Sequence, residues 1–289
     1  MADSEEAEEQ SPPTAWNPLT PGGVASYANA PLGQLIFTQA IVASIVFAAT
    51  LFYLSRAWIP VINSAVEKFP NGSELGDEGL RVVGSHPLVL GENTLLSATW
   101  VTNDAVNPDA DIELRLNRKS WSASSLLGYV TLPYPPFVEI DLSRENLASK
   151  WGAYRSAAVP GLAAAITIGL WLSWVAMAAI YAWPIRVIVF FRDKLTSRLG
   201  SWKLCAASLL PAAVFMSAAI VFYTLGKIPL AGLLIAFLAH FVIGWLYIFL
   251  SAVALPLIPE AEQMKGNPFA KGGTKKKAGK KRNPFGKGK

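Results

Sequence analysis

The chain has 289 residues, of which 52% are hydrophobic and only 16% charged, with a net charge of +5 and a single cysteine. The lone Cys205 excludes an internal disulfide and a cysteine-based metal cluster. Uncharged apolar stretches at Leu35–Leu54, Ala157–Ile185, Leu204–Gly226 and Ile228–Pro259 each reach the roughly 20 residues that a helix needs to cross a bilayer. They exclude an ordinary soluble helical protein, because the charges fall almost wholly outside them. The expected fold class is a membrane α-helical bundle of four transmembrane helices, with a small β-rich extracytoplasmic domain between the first and second.

Residues 1–33 start with Asp3, Glu5, Glu6, Glu8 and Glu9 and continue with Pro12, Pro13, Pro18, Pro21 and Pro31. Acidity and helix-breaking prolines predict a disordered lead-in. The first transmembrane helix is expected over residues 34–58. It lacks the basic flank of a cleaved signal peptide and reads as a signal anchor.

Residues 59–156 are expected to form the β-rich domain. Ile112–Leu116 alternates apolar and polar residues, and Leu80–Val83, Leu95–Val101 and Leu126–Leu132 are further strand candidates. Pro70-Asn71-Gly72 and Asn107-Pro108-Asp109 read as turns. Tyr129, Pro133, Tyr134, Pro135, Pro136 and Phe137 suit an anchor at headgroup level or, on a sharper reading, a ligand groove. Asp104, Asp109, Asp111 and Glu113 lack the spacing of a calcium hand and read as solvated charges. Asn71-Gly72-Ser73 matches the glycosylation sequon.

The region 157–259 is expected to hold the other three helices, at 157–185, 204–226 and 228–259. Small residues recur every four positions, at Gly161, Ala165, Gly169 and Ser173 and again at Gly232, Ala236 and Gly244. Such stripes predict close helix packing, with these two faces buried in the bundle. His240 shares the second stripe. It is expected to bond Thr167, Ser208 or Tyr223 on another helix, or else to serve transport.

Arg186, Arg192, Lys194, Arg198 and Lys203 crowd the connection between the second and third segments. The positive-inside rule places that connection and the tail in the cytoplasm, and with them the N-terminus, against the pull of its acids. Residues 260–289 form a basic, low-complexity tail, expected to be disordered. Lys275, Lys276, Lys277, Lys280, Lys281 and Arg282 suit anionic lipid headgroups better than nucleic acid.

No nucleophile elbow is present, and the two histidines, His86 and His240, fall too far apart in the layout to pair. No catalytic residue, metal or cofactor is therefore expected. The function expected is a non-enzymatic scaffold or accessory subunit whose outer domain binds another envelope component. The alternative is a small transporter or channel subunit using His240 and the two small-residue faces. One helix, an outer domain opening with Phe69-Pro70-Asn71-Gly72, and then a helical bundle together resemble uncharacterised bacterial inner-membrane proteins grouped loosely with Yip1-like families. The resemblance implies a bacterial inner-membrane location and assigns no activity or functional residue.

Overall fold

The computed structural model describes residues 15, 17–84, 87–101, 110–136 and 139–257. Its four long helical rods, Leu32–Lys68, Arg144–Phe191, Arg198–Thr224 and Leu230–Val253, are each long and apolar enough to cross a membrane. The basic tail, with Lys275, Lys276, Lys277, Lys280, Lys281 and Arg282, lies outside the described residues, as does the acidic start.

The lead-in differs from the expectation of disorder over residues 17–33. A short helix, α1 (Pro21–Ser26), opens on Thr20, whose hydroxyl accepts from the Gly23 N–H at 3.1 Å. Pro21 stands in the first turn, where a missing N–H costs nothing. Val24 and Tyr27 are fully buried and pack with Ile185, Leu204 and Leu255. The prolines terminate turns here without keeping the segment out of the core.

The first rod comprises α2 (Leu32–Tyr53), a single π turn (Leu54–Trp58) and α3 (Ile59–Lys68). Pro60 cannot donate a hydrogen bond to the carbonyl four residues back, and a π turn with Ile59 N–H on the Leu54 carbonyl precedes it. The helix thus continues ten residues past the expected end at 58.

Among the described residues eight strands follow: β1 (Glu74–Gly76), β2 (Gly79–Arg81), β3 (Leu88–Glu92), β4 (Leu96–Trp100), β5 (Ile112–Leu116), β6 (Ser120–Ser125), β7 (Gly128–Pro133) and β8 (Ile140–Asp141). The larger sheet has the order β3-β4-β5-β6-β7, with only the β4–β5 pair parallel; the smaller has the order β2-β1-β8. The expected β character is observed, but 59–156 is not a purely β unit, since α3 and the start of the next helix pack within it. Val61 of α3 joins Phe69, Leu80, Leu90, Leu96 and Trp100 in the domain core, with Leu147 against them. Gly91 lies so close to α3 that a Cβ there would stand 2.6 Å from the Val61 carbonyl oxygen.

The long helix α4 (Arg144–Phe191) begins thirteen residues before the expected 157. The third rod is broken at Leu209 into α5 (Arg198–Ser208) and α6 (Leu210–Thr224), with Pro211 in the first turn of α6. The last rod is α7 (Leu230–Val253).

α5 and α6 run through the middle of the bundle, and 61% of their most apolar stretch is buried, against 17% for α4. At one end, Lys194 Nζ donates to the Leu255 carbonyl at 2.8 Å, and Lys203 Nζ donates to the Ala30 carbonyl at 2.5 Å. The lead-in, the α4–α5 connection and the residues after α7 therefore meet at one end, and the strands lie at the other.

Candidate functional site

The Phe69-Pro70-Asn71-Gly72 turn shapes the strand-bearing domain. Phe69 is buried in the domain core and ends α3 with an extended ψ of 124°. Gly72 takes φ +82°, a left-handed conformation open to glycine. The Asn71 side-chain oxygen accepts from the Arg144 N–H at 3.2 Å, so the turn fastens the end of α3 to the start of α4. Ser73, the hydroxyl of the sequon, is buried and accepts from the Val83 N–H at 3.3 Å.

α3 and β3 run antiparallel. The Asn93 amide donates to the Ala57 carbonyl at 2.8 Å, Ser64 Oγ to the Leu90 carbonyl at 2.8 Å, and Lys68 Nζ to the Val89 carbonyl at 3.4 Å. The strands accordingly stand along the axis of the first rod. Leu95 packs with Ala57 and Tyr223, and Tyr223 OH donates to Asp111 at 3.0 Å, both at the helix-bundle end of the domain. The opposite, distal end carries Trp100, Leu116 and the β1–β2 hairpin.

That distal end is grooved. An open groove of 1070 Å³ is lined by residues 72–82, Trp100, Arg118 and residues 139–141. A second, of 620 Å³, shares residues 76–79 and Arg118 and adds Lys119, Tyr134, Pro135 and Pro136. The Leu80 N–H bonds the Arg118 carbonyl at 2.6 Å, which holds the hairpin against the β5–β6 turn between the grooves.

The walls carry charges of both signs. Arg81 pairs with Glu74 at 3.3 Å and Arg118 with Glu78 at 3.2 Å, both in solvent, where such pairs contribute little to stability. Asp141 accepts from the Ser143 N–H at 2.8 Å and its hydroxyl at 2.9 Å. These two bonds hold its carboxyl below the usual carboxylate range. Tyr134 OH donates to the Asn117 carbonyl at 3.0 Å, and burial pushes its pKa up to about 12. An open groove of mixed charge, walled by backbone and tyrosine, is suited to holding an extended polar segment.

The aromatic-proline cluster is divided by the fold. Tyr134, Pro135 and Pro136 line the second groove, whereas Tyr129 stands apart on β7 and Phe137 lies outside the described residues. The acids considered for calcium are engaged elsewhere where described. Asp111 holds Tyr223, and Glu113 pairs with Arg115 at 2.8 Å.

The membrane residues are placed otherwise than expected. Gly161, Ala165, Gly169 and Ser173 form an exposed face of α4, and nothing approaches Gly161 or Gly169. α4 turns Ala163 and Thr167 inward instead. Ala236 and Gly244 are buried, and Gly244 meets Leu209 and Ala212 of α5–α6 rather than the α4 stripe; Gly232 sits by its neighbours Ile228 and Pro229.

His240 does not reach another helix. Its Nδ1 bonds the Phe237 carbonyl of its own helix, and its ring touches Phe237 and Phe241. Thr167, Ser208 and Tyr223 instead bond Ala163, Leu204 and Asp111. Spacing four identified a shared helical face but not what that face meets.

The first groove escaped the sequence reading, because its walls come from residues as far apart as Gly72 and Asp141. The Gly76–Gly79 turn flanked by charges was the available local signal. Comparison of the chain with protein-family models, with curated proteins and with solved structures found no match.

Proposed function

We propose that this protein is a non-enzymatic membrane scaffold or accessory subunit that presents the distal grooves to an extended segment of another envelope component. The observation that carries the reading is the position of the grooves. They lie at the end of the domain opposite the Ala57–Tyr223 contact with the bundle, and both α3 and α4 run from the bundle into that domain. A groove on such a mount keeps a fixed height and direction above the membrane.

The orientation that follows from the basic residues puts the grooves outside the cytoplasm of a bacterial inner membrane, with both termini inside. The tail residues Lys275–Lys277 and Lys280–Arg282 would then face anionic headgroups, each contributing about 1 kcal/mol of attraction near the surface. A transporter reading would have to rest on other residues than the α4 stripe and His240.

A photo-cross-linking residue at Glu78, on the groove rim, tests the proposal in whole cells. The scaffold reading expects one discrete adduct from position 78 and none from Lys150, on the exposed flank of α4. No adduct at position 78, or equal adducts at both positions, contradicts it.

A further inference from the structure

The β6–β7 hairpin ends in Leu126 and Leu127, which are 63% and 71% exposed, and Tyr129 beside them is 79% exposed. An exposed pair of leucines at a turn calls for a partner, and the strand register shows how high the turn sits. Leu96 pairs with Ile112, Ile112 with Ser125, and Ser125 with Gly128. The hairpin turn therefore lies at the same end of the sheet as Leu95 and Asp111, which touch Ala57 and Tyr223.

That end coincides with the outer limit of the apolar helices. Arg56 and Lys227, both exposed, flank the Ala57–Tyr223 contact in the chain. α4 reaches the same height near Ala157, two residues past Arg155. Trp151 bonds Asn63 at 2.7 Å, and Asn63 stands about 9 Å above Ala57 at 1.5 Å per residue. Arg56, Arg155 and Lys227 thus fall within about one helical turn of a common level, where basic side chains reach headgroups. By the register, the hairpin turn hangs at this level, between two and three strand spacings or about 10–15 Å to the side of β4. The chain from Ser120 to Val138 has no charged residue to oppose contact with lipid.

We infer that Leu126 and Leu127 insert into the outer leaflet, making the β6–β7 hairpin a second, lateral foot by which the domain rests on the bilayer. Tyr129, one residue into β7, meets the headgroups with its hydroxyl. The inference rests on the membrane reading of the four helices. It assigns the turn to lipid and leaves the distal grooves free for the protein partner.

The test uses the full chain in nanodiscs of phosphatidylethanolamine and phosphatidylglycerol, with Cys205→Ala and one nitroxide attached in turn at Lys119→Cys, Leu127→Cys or Leu238→Cys. Collisions with oxygen report lipid, and collisions with a soluble nickel chelate report water. Position 127 should resemble Leu238, on the exposed middle of α7, and differ from Lys119 at the other end of β6. If position 127 resembles 119 while 238 reports lipid, the foot is refuted and the membrane reading stands. If 238 also reports water, the membrane reading fails first. A position 127 shielded from both reagents means a protein covers it, and that too overturns the proposal.

Because a nitroxide is itself apolar, amide exchange provides a label-free check. Leu126→Asp/Leu127→Asp should speed exchange across residues 124–130 at least about tenfold in nanodiscs, and unchanged exchange refutes the foot.

Discussion

α4 and the broken rod α5–α6 are both apolar enough to span a membrane, with mean hydropathies of 1.9 and 2.2, yet their places in the bundle are opposite. α5–α6 lies between its neighbours, with Leu204, Cys205, Ala206 and Ala207 fully buried. α4 runs along the outside and turns a stripe of glycine and alanine away from the protein. In lipid, hydropathy sets whether a helix crosses, whereas packing sets where it stands, because lipid tails are as apolar as the side chains they replace. The same contrast continues outside the bundle. The first rod holds the strands through a part-buried bond at Asn93, whereas the first turn of α4 is held by exposed bonds at Asn71 and Asp141.

Filling the small-residue positions should separate the two regions most clearly. Gly244→Leu puts four carbons against Leu209 and Ala212, and overpacking of this kind costs about 1–3 kcal/mol. Gly169→Leu meets open space and should stay within about 0.5 kcal/mol of the parent. Thermal unfolding of the full chain in detergent reads both. Equal losses would mean that the α4 face is packed after all.

Asn93→Ala should come next in size. It removes the donor to the Ala57 carbonyl and the acceptor for the Leu95 and Leu96 N–H groups, both at 2.9 Å. Stranding such groups costs about 1–3 kcal/mol. Amide exchange should rise in β3, β4 and α3. Asn71→Ala, on the α4 side, should cost less, because its bond is exposed to water that can replace it.

The start of α4 should also respond to pH. The Asp141 carboxyl is held below its ordinary value by Ser143. A depressed folded pKa means a contribution present above the unfolded value, near 4, and lost as the pH falls through the folded one. Protection from amide exchange around residues 143–147, taken against the intrinsic rate at each pH, should therefore fall below about pH 4. Asp141→Asn should remove that dependence, and a variant that kept it would point to another group.

His240 should give the smallest effect. Its ring bonds a carbonyl of its own helix, so His240→Leu orphans no side chain elsewhere and should stay within about 0.5 kcal/mol. His240→Gln should behave alike. A large loss with His240→Leu would reveal an interhelical partner.

Much of this was legible locally. Ile112–Leu116 is a strand over the residues that alternate, and the four apolar segments lie within or largely overlap the four rods. The misses have local causes. The first helix was expected to end at 58, but a π turn carries the chain past Pro60. The helix over residues 144–156 had its own signals, with Ser143 ahead of it, Glu145 in the first turn and Leu147 and Trp151 four apart. β6 alternates serine with only Trp121 and Ala123, a strand pattern too short and too poor in apolar residues to stand out. Residues 17–33 look unstructured alone, because Val24 and Tyr27 are held by contacts with residues more than 150 positions away.

Residues 78 and 192 test the central arrangement, strands at one end and the lead-in, α4–α5 connection and chain after α7 at the other. Cys205 is buried, so Glu78→Cys and Arg192→Cys can each be read with a membrane-impermeant maleimide in cells whose inner membrane is intact. The fold predicts that the two positions label from opposite sides, and the proposed orientation predicts that position 78 labels at once and position 192 only after the membrane is opened. Labelling of both positions from outside would contradict the fold's division into two ends, and labelling of 192 alone would reverse the proposed orientation.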